Sequence, residues 1–523
     1  MEILDNAALR FSAPPEVMNR VLPNIQKSDR DGDNLIVYWD YPEASYLASV
    51  IDTEQPHDSL PDVPSPMLRD YDWPGLYTPF EHQKHTASFL SLRTRAFCFN
   101  EAGTGKTSAA VWAADYLMNL GKVKRVLVIC PLSIMWSAWQ NDIFRTAMHR
   151  SGVVAHGSSS KRKEMIRSKY DFVIINFDGV GVVHDEIMNA DFDLIIVDEA
   201  NSYKNASSKR WKYLAKLIRP HTRLWMMTGT PASQSPVDAF GLAKLVSPWR
   251  VPKYLSAWRG KVMLQVSRFS WVPASGATKQ VHYALQPAIR YTKSECLDLP
   301  ELMYQYRDVP LTQQAAEYYK ELKTELLMEA AGEQVSAVNA AAKLNKLLQI
   351  SGGAVYTDGR DVLEFDITPR LNALKEILDE TSNKVVVFVP YRHTIQVVSE
   401  YLHRQNITTE IINGEVSARE RADIIDRFQT QKDPHVLVIQ PQAASHGVTL
   451  TAADTIVFWS PVMSVETYLQ CIARIDRVGQ KNSTTVVHIQ GSEVEKRVYS
   501  MLNSKVSSHQ KIVDLYKQEM GYE

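Results

Sequence analysis

Continuously apolar runs alternate with helical stretches along most of the chain. Four such runs follow residue 70, and each is short and lacks polar alternation: Val126–Cys130, Phe172–Ile175, Leu194–Val197 and Leu224–Met227. Solid apolar runs are typical of strands that are covered on both faces. From residue 70 on we therefore predict a parallel sheet with helices on either side.

The same rhythm returns in the C-terminal half, after an amphipathic helical pattern at Leu371, Leu374, Ile377 and Leu378. The later apolar runs are Val385–Val389, Val436–Ile439, Ile456–Trp459 and Val486–Ile489. They predict a second parallel-sheet lobe. Between about 246 and 365 the strand rhythm stops, and Gln313–Ile350 has the apolar spacing of a long helical stretch that Gly352-Gly353 ends.

The predicted fold class is α/β, with two tandem parallel-sheet lobes, a helical insertion between them and a small N-terminal α+β domain. The N-terminal domain comprises strands at 7–12 and 34–39 and helices from Pro14 and Pro42. The predicted boundaries are, in order, 1–52 for the N-terminal domain, 53–69 for a proline-rich linker, 70–245 for lobe 1, 246–365 for the protrusion and inter-lobe segment, 366–492 for lobe 2 and 493–523 for a C-terminal helix.

Composition narrows the function classes. The 523 residues carry a net charge of −1, so contact with nucleic acid has to be local rather than global. The four cysteines lie far apart, without a CxxC zinc spacing or a disulfide framework. The sequence shows no apolar run of membrane-spanning length and no signal-peptide pattern. We expect a monomeric protein of a bacterial or phage-infected cytoplasm, with no membrane partner.

The first chemical motif is the stretch Phe97–Thr107. A strand-like run meets a loop with two glycines, Gly103 and Gly105, and Lys106-Thr107 then opens an alanine-rich helical stretch. This order is typical of a phosphate-binding loop, in which backbone N–H groups and the helix N-terminus face the phosphates. Asn100 stands where the first glycine of the full pattern would be, and a plain glycine-rich turn is the alternative.

A pair of carboxylates, Asp198 and Glu199, ends the buried run Leu194–Val197. In an enzyme with a phosphate loop, the aspartate holds Mg²⁺ and the glutamate positions the attacking water. The alternative is a helix N-cap.

With these motifs in order, the chain from about Tyr77 onward resembles the Swi/Snf-type ATPases of helicase superfamily two, which have two RecA-like lobes. The resemblance covers Asn100–Thr107, Asp198–Asn205, Thr228–Pro231 and Gln470–Gln480. It also covers the inter-lobe motifs Arg290–Lys293, Asp298–Pro300 and Val309–Thr312.

The resemblance implies ATP and Mg²⁺ as cofactors. Thr107 and Asp198 would hold the metal, and Gln83 would read the adenine edge. The remaining implied nucleotide contacts are Asn100, Glu101, Ala102, Gly103, Thr104, Gly105, Lys106, Gly447, Asp454 and Gln470.

The second lobe lacks a phosphate loop of its own, and its strongest motif carries Arg474 and Arg477. Their spacing predicts one face of a helix, and the resemblance implies arginine fingers that stabilise transition-state charge. A surface helix with two arginines is the alternative.

The resemblance also implies DNA contacts, mostly to phosphates because a translocating motor does not depend on base identity. They are Pro131, Trp139, Lys204, Asn205, Thr230, Tyr391 and Thr451. Each has an alternative as a packing or capping residue, and Trp139 and the nearby Trp136 fit core positions equally well. Thr228 and Gly229 would couple the nucleotide state to these contacts.

Three positions depart from the family pattern: Asn100 replaces an aspartate, Asn201 replaces a histidine, and Gln442 with Ser445-His446 departs from a glycine-containing run. Asn201 makes the link between the acidic motif and Thr228 less certain. None of the departures removes Lys106, Asp198, Glu199 or the two arginines.

We therefore expect an ATP-dependent motor that tracks along duplex DNA and remodels forks, junctions or protein–DNA complexes in replication, repair or recombination. One alternative is a strand-separating helicase of the same superfamily. An alternative of another class is a non-hydrolysing DNA-binding scaffold on a decayed motor fold.

Overall fold

The computed structural model describes residues 1–53, 62–232, 235–267, 271–296, 300–332, 337–356, 362–444, 449–477 and 479–503. Residues 1–296 form one compact unit, and the described residues from 300 to 503 form a second. Among the described helices, none has the length and apolar character that a membrane crossing requires.

The first unit begins with a small antiparallel sheet. Its elements are β1 (Glu2–Leu4), β2 (Ala8–Ser12), α1 (Pro15–Val21), β3 (Ser28–Asp31), β4 (Asn34–Tyr38) and α2 (Tyr41–Thr53), with strand order β1-β2-β4-β3. Alternation explains the two predicted strands, because Leu9 and Phe11 of β2 are buried on the same face. Strand β1 escaped prediction because it has only three residues, and β3 because all four of its residues are polar.

The N-terminal sheet shares one hydrophobic core with the first large sheet. Residues 62–70, within and just after the predicted linker, belong to that core, since Val63 and Met67 are buried and the indole of Trp39 donates to the carbonyl oxygen of Pro64 at 2.8 Å. The domain boundaries stay predictions, and the proline-rich composition gave no sign of this packing.

The large sheet of the first unit is parallel and seven-stranded, in the order β13-β5-β10-β9-β6-β8-β7. The strands after β4 are β5 (Arg95–Cys98), β6 (Val126–Cys130), β7 (Gly152–Val154), β8 (Phe172–Asn176), β9 (Leu194–Asp198), β10 (Arg223–Met227), β11 (Met263–Gln265), β12 (Trp271–Pro273) and β13 (Ala288–Ile289). The strands β11 and β12 form a separate antiparallel hairpin.

Helices cover both faces of this sheet. They are α3 (Met67–Asp70), α4 (Glu81–Leu92), α5 (Lys106–Asn119), α6 (Asn141–Thr146), α7 (Ser159–Arg167), α8 (Phe177–Val182), α9 (His184–Ala190), α10 (Lys209–Leu217), α11 (Ala239–Val246), α12 (Leu255–Val262), α13 (Ala277–Ala284) and α14 (Lys293–Cys296). Alternate residues of β6 divide between two hydrophobic clusters, with Val128 in one and Leu127 in the other. This division is the reason for the solid apolar runs, and the predicted parallel sheet is confirmed.

The second unit contains a six-stranded parallel sheet in the order β14-β21-β20-β17-β19-β18. Its strands are β14 (Leu302–Asp308), β17 (Lys384–Phe388), β18 (Thr409–Ile412), β19 (Val436–Ile439), β20 (Ala453–Phe458) and β21 (Thr484–Gln490), and β15 (Ala354–Tyr356) pairs with β16 (Val362–Glu364). The predicted second parallel sheet is therefore confirmed.

The helices of the second unit are α15 (Gln313–Gly332), α16 (Ala337–Gly352), α17 (Thr368–Glu380), α18 (Arg392–Arg404), α19 (Ala418–Thr430), α20 (Pro441–Ala444) and α21 (Val465–Ile472). Helix α16 ends where the glycine pair predicted, and Gly353 has φ of +117°. Residues 493–503 are helical, and the rest of the predicted C-terminal helix lies outside the described residues.

Candidate active site

The loop between β5 and α5 has the backbone of a phosphate cradle. Gly103 and Gly105 have φ of +91° and +80°, a left-handed conformation that glycine adopts without strain. Gly105 is the N-cap of α5 and supplies no side-chain cap, so the first backbone N–H groups of the helix are available to a ligand. A Cβ at Gly105 would lie 1.9 Å from the amide nitrogen of Gln83, so any other residue would have to displace the end of that side chain.

Lys106 and Asn100 fix the interior of this loop. The Lys106 ammonium donates to the carbonyl oxygens of Asn100 and Glu101 at 2.9 and 3.2 Å. The side-chain amide of Asn100 donates to the Thr86 hydroxyl at 2.8 Å, and its oxygen accepts from the backbone N–H of Tyr291 at 3.0 Å.

The Thr86 hydroxyl explains why an asparagine fits position 100. The Thr86 hydroxyl donates its proton to the carbonyl oxygen of His82 at 2.7 Å. The side chain at position 100 that contacts the Thr86 oxygen therefore has to be a hydrogen-bond donor. An amide supplies that donor, whereas a carboxylate does not. Asn100 is therefore matched to its surroundings.

The segment Arg290–Lys293 is joined to the same loop. The Glu101 carboxylate accepts from the backbone N–H of Lys293 at 3.0 Å and lies 3.6 Å from the Arg290 guanidinium. Arg290 also donates to the carbonyl oxygen of Phe99 at 3.2 Å. Sequence reasoning assigned this segment to the inter-lobe region and missed its role in supporting the loop; its match to the family motif was the available signal.

Helix α4 contacts the loop through two side chains. Gln83 accepts from the backbone N–H of Phe80 at 3.0 Å and donates to the carbonyl oxygen of Thr104 at 3.3 Å. The His82 Nε2 lies 2.8 Å from that same oxygen and so carries the proton. Burial lowers the pKa of His82. The predicted adenine contact of Gln83 stays a prediction.

Asp198 ends β9, two strands from the strand that precedes the phosphate loop. Asp198, Met227 and Cys98 are in register across the sheet, so the Asp198 backbone lies roughly 10 Å from Cys98. The Asp198 carboxylate accepts from the indole N–H of Trp139 and from the backbone N–H of Glu199, both at 3.0 Å. Glu199 has φ of +52°, a strained conformation for a residue with a side chain.

Trp139 is fully buried, so its side chain has no surface to offer to DNA. The structure corrects the prediction that Trp139 contacts DNA. The side chain lies in the core, and its indole N–H fixes the Asp198 carboxylate. Pro131, a second predicted DNA contact, is also buried, whereas Trp136 is 41% exposed. Sequence alone did not distinguish the two tryptophans.

The loop after β10 connects the acidic motif to the phosphate loop. The Asn201 amide donates to the carbonyl oxygen and the hydroxyl of Thr230 at 2.7 and 3.0 Å. A Cβ at Gly229 would lie 3.2 Å from the backbone nitrogen of Ala102, which shows how closely this loop approaches. The Thr228 hydroxyl accepts from the Thr230 N–H at 3.3 Å and is fully buried. Asn201 therefore contacts Thr230 directly rather than Thr228.

Lys204 and Asn205 follow the acidic motif. The Lys204 ammonium lies 3.4 Å from the Asp238 carboxylate, and burial raises the pKa of that carboxyl while the lysine opposes the rise. Asn205 is exposed, and its side-chain oxygen accepts from the Ser207 hydroxyl at 2.7 Å. Thr107 lies in the first turn of α5, beside Lys106.

In the second unit the helix α21 ends at Ile472, so the helical placement of Arg474 and Arg477 is wrong. The Arg474 carbonyl oxygen accepts from the Leu450 N–H at 2.9 Å and is not used by a helix. The chain continues as a turn that buries Ile475 fully. Arg474 is 7% exposed and donates from Nε to the carbonyl oxygen of Gln470 at 3.1 Å.

Three other predicted residues of this unit have local partners. Asp454 accepts from Asn383 and from the Thr455 hydroxyl, the latter at 3.0 Å. Thr451 accepts from Gln429 at 3.2 Å. The Tyr391 hydroxyl donates to Asn345 at 3.0 Å, and burial raises its pKa. The remaining candidate, Gly447, lies outside the described residues.

The first unit therefore brings together its predicted nucleotide and coupling residues around one sheet edge. The second unit holds the predicted residues from Tyr391 onward. The roles of the predicted residues in both units stay predictions.

Comparisons with known proteins agree with the sequence resemblance. A protein of Acyrthosiphon pisum secondary endosymbiont phage 1 is 26% identical over 85% of this chain and 99% of its own length. An uncharacterised ATP-dependent helicase of Mycoplasma genitalium is 25% identical over 78% of this chain, which spans 39% of that protein. The SWI2/SNF2 ATPase core of Sulfolobus solfataricus, solved in complex with double-stranded DNA, covers 85% of this chain and 95% of its own at 20% identity, with a TM-score of 0.41.

Two family matches cover most of the chain. Residues 82–358 match the SNF2-related domain, and residues 369–479 match the helicase conserved C-terminal domain. The predicted resemblance is confirmed: the chain belongs to the SNF2-related helicase family.

Proposed function

We propose that this chain is a DNA-dependent ATPase that moves along duplex DNA, gripping mainly the phosphate backbone. The observation that carries the proposal is the contact between three loops at one sheet edge. The phosphate loop, the acidic motif at Asp198-Glu199 and the loop at Thr228–Thr230 are joined through Asn201 and Gly229. A family membership with a helicase C-terminal domain supports the same class.

The residues present fit ATP with Mg²⁺. The two left-handed glycines and the uncapped start of α5 direct backbone N–H groups towards a ligand, and Lys106 supplies a positive charge beside them. Thr107 and Asp198 would hold the metal, whose chemistry is to neutralise charge on the β- and γ-phosphate oxygens when it is bound.

Each remaining side chain of the site has a role in hydrolysis. Glu199 positions the attacking water and accepts its proton, while Asp198 is fixed by Trp139 and by the Glu199 N–H. In the second unit we propose Arg474 and Arg477 as the cations that stabilise transition-state charge.

Coupling to DNA runs through the loop after β10. Asn201 holds Thr230, a proposed phosphate contact, while Gly229 of the same loop touches the backbone of Ala102. A movement of the phosphate loop would therefore displace Thr230, the proposed DNA contact. Lys204, Asn205, Tyr391 and Thr451 are the other proposed contacts. Pro131 has no backbone N–H to donate to a phosphate and would act only by positioning the turn that follows β6.

The test is the ATPase rate of the full chain with no DNA, duplex, single-stranded, forked and four-way DNA. We expect duplex-containing DNA to stimulate hydrolysis and Lys106→Ala to abolish it, with Lys124→Ala, an exposed lysine of the same unit, as the matched control. A preference for single strands would favour a strand-separating helicase. A wild type with no hydrolysis above that of Lys106→Ala on any of these DNAs would leave only a non-hydrolysing scaffold.

The finer role is also a proposal. Remodelling of forks, junctions or protein–DNA complexes follows from a motor that moves on duplex DNA without needing base contacts. Comparing the stimulation by forked and four-way DNA with that by plain duplex tests this role directly.

A further inference from the structure

One segment of the first unit has a charge pattern unlike the rest of the chain. Residues 239–294 contain nine lysines and arginines and no aspartate or glutamate, although acids outnumber bases in the whole chain by 59 to 58. Within this region the start of α12 is open to solvent, since Lys253–Ala257 are all exposed. A local excess of positive charge attracts a polyanion.

The same region displays large aromatic rings. Trp249 and Tyr254 are 60% and 63% exposed, and Trp271 is 37% exposed. The Lys253 ammonium lies 5.4 Å from the centre of the Tyr254 ring, and the Arg259 guanidinium lies 5.7 Å from that of Trp271. The second contact joins α12 to the hairpin strand β12, so helix and hairpin form one surface. We call Trp249, Lys253, Tyr254, Arg259, Lys261 and Trp271 the basic aromatic patch.

The patch stands on a packed base. Trp258 of α12 is 1% exposed, and its indole donates to the carbonyl oxygen of Pro236 at 3.2 Å. Val262, the last residue of the helix, is fully buried, and β11 follows it directly. Helix α12, which carries Arg259 and Lys261, is therefore anchored to the unit, while Trp249 and Tyr254 precede it in the chain and Trp271 lies on β12.

We propose that the basic aromatic patch binds single-stranded DNA. Exposed rings beside cations suit unpaired bases, because each base can stack on a ring while its phosphate meets a lysine or arginine. A duplex keeps its base faces covered by neighbouring pairs and would use only the charges. The rings thus favour a single strand over the duplex that the motor tracks.

This inference adds a second nucleic-acid contact and rests on the proposed function only in that the strand belongs to the DNA on which the motor acts. At a fork, one unit would then hold a strand that is not part of the tracked duplex. Binding of the strand needs neither ATP nor hydrolysis, so it can be measured even where the proposed ATPase fails.

The test measures the affinity of the full chain for fluorescein-labelled oligothymidylate and for a duplex, without nucleotide. We expect Trp249→Ala with Tyr254→Ala to lower the ratio of single-strand to duplex affinity about tenfold or more, since stacking accounts for about that factor per base. Trp249→Phe with Tyr254→Phe, which keeps the rings, should restore the ratio.

The chain offers a matched control. Lys27 lies 4.4 Å from the ring centre of Tyr38, which is 40% exposed, and this pair sits on the N-terminal sheet beside aspartates. Lys27→Ala with Tyr38→Ala removes the same two groups as Lys253→Ala with Tyr254→Ala. We expect only the second pair to weaken binding to the single strand.

The charges give an independent readout. Replacing Lys253, Arg259 and Lys261 by glutamine should reduce the slope of log affinity against log salt for the single strand by about 2, at about 0.7 per phosphate contact. An unchanged single-strand affinity in the ring variants would overturn the proposal and point to an acidic protein as the occupant. Equal losses for duplex and single strand would also overturn it, because the patch would then belong to the duplex track.

Discussion

Each of the two parallel sheets contains a strand that leads through a short connection into a helix, and the β5–α5 and β17–α18 connections differ in how well they suit phosphates. In the first unit β5 leads to α5 through a loop in which Gly103 and Gly105 are left-handed. In the second unit β17 leads to α18 through Val389-Pro390-Tyr391, and Tyr391 has φ of −109°. A proline lacks the N–H that a phosphate requires, so the second connection cannot serve as a cradle.

Two aspartates near strand ends, one in each unit, differ in their hydrogen-bond partners. Asp198 at the end of β9 is held by two N–H donors that orient it, one of them from Trp139. Asp454 lies near the opposite, N-terminal end of its strand β20 and instead interacts with Asn383, Thr455 and Asn482, the last at 3.4 Å. The comparison teaches that the scaffold is shared, while the proposed chemistry depends on what each loop adds to it.

We propose that the second unit contributes to ATP hydrolysis through side chains alone. Arg477→Ala is the strongest test of this proposal. If the proposed role holds, we expect ATP hydrolysis to fall by about 10³-fold or more, the effect of an arginine finger, while nucleotide binding persists. The measurement is DNA-stimulated phosphate release, with the exposed Arg419→Ala of the same unit as control. Wild-type hydrolysis by Arg477→Ala would mean that this arginine supplies no catalytic cation.

The first unit should hold the group that activates water. Glu199→Gln keeps the size of the side chain and removes its basicity, so we expect hydrolysis to fall by about 10²- to 10⁴-fold. Binding of a fluorescent ATP analogue should stay close to that of the wild type. Glu164→Gln, at an exposed position on α7, is the control, and an equal loss in both variants would remove Glu199 from the mechanism.

A buried histidine gives the second unit a dependence on pH. Burial among aromatic rings lowers the pKa of His488 to about 4, and its Nε2 lies 2.9 Å from the Tyr468 hydroxyl. The unfolded chain binds the proton more readily, so stability is full above the ordinary histidine pKa and falls as the pH drops from about 6.5 to about 4, by up to about 3 kcal/mol. Urea unfolding across this range should show the loss, and His488→Gln should flatten it. An equal slope in both proteins would assign the pH dependence to other groups.

Asn201 tests the link between the acidic motif and DNA. Asn201→Ala removes both hydrogen bonds to Thr230, and we expect the stimulation of ATPase by duplex to fall about tenfold, which corresponds to about 1.4 kcal/mol. Asn119→Ala, which removes the hydrogen bond from Arg150 on the same unit, is the control. Full stimulation in Asn201→Ala would show that coupling bypasses Thr230.

The smallest expected effect concerns the phosphate loop itself. Asn100→Asp removes the donor to Thr86 and should lower the free energy of unfolding by about 1 kcal/mol. In a double-mutant cycle with Thr86→Val the two changes should not be additive, because they share one hydrogen bond. Additive effects would mean that this bond does not select the asparagine.

The sequence predicted most of what local pattern determines. The solid apolar runs predicted both parallel sheets, and the glycine loop and acidic pair predicted residues that the first unit brings to one sheet edge. Long-range contacts escaped prediction: Trp139 lies 59 residues from Asp198, and Arg290 lies far along the chain from the loop that it supports. The predicted helical placement of Arg474 and Arg477 was wrong. Their spacing in the sequence does not reveal that the Leu450 N–H donates to the Arg474 carbonyl oxygen.

The most direct test of the central claim is the ATPase rate of the full chain with duplex and with single-stranded DNA, beside Lys106→Ala. The account predicts that duplex stimulates hydrolysis more than single-stranded DNA does and that Lys106→Ala abolishes hydrolysis with both. Equal rates in Lys106→Ala and in the wild type would contradict it.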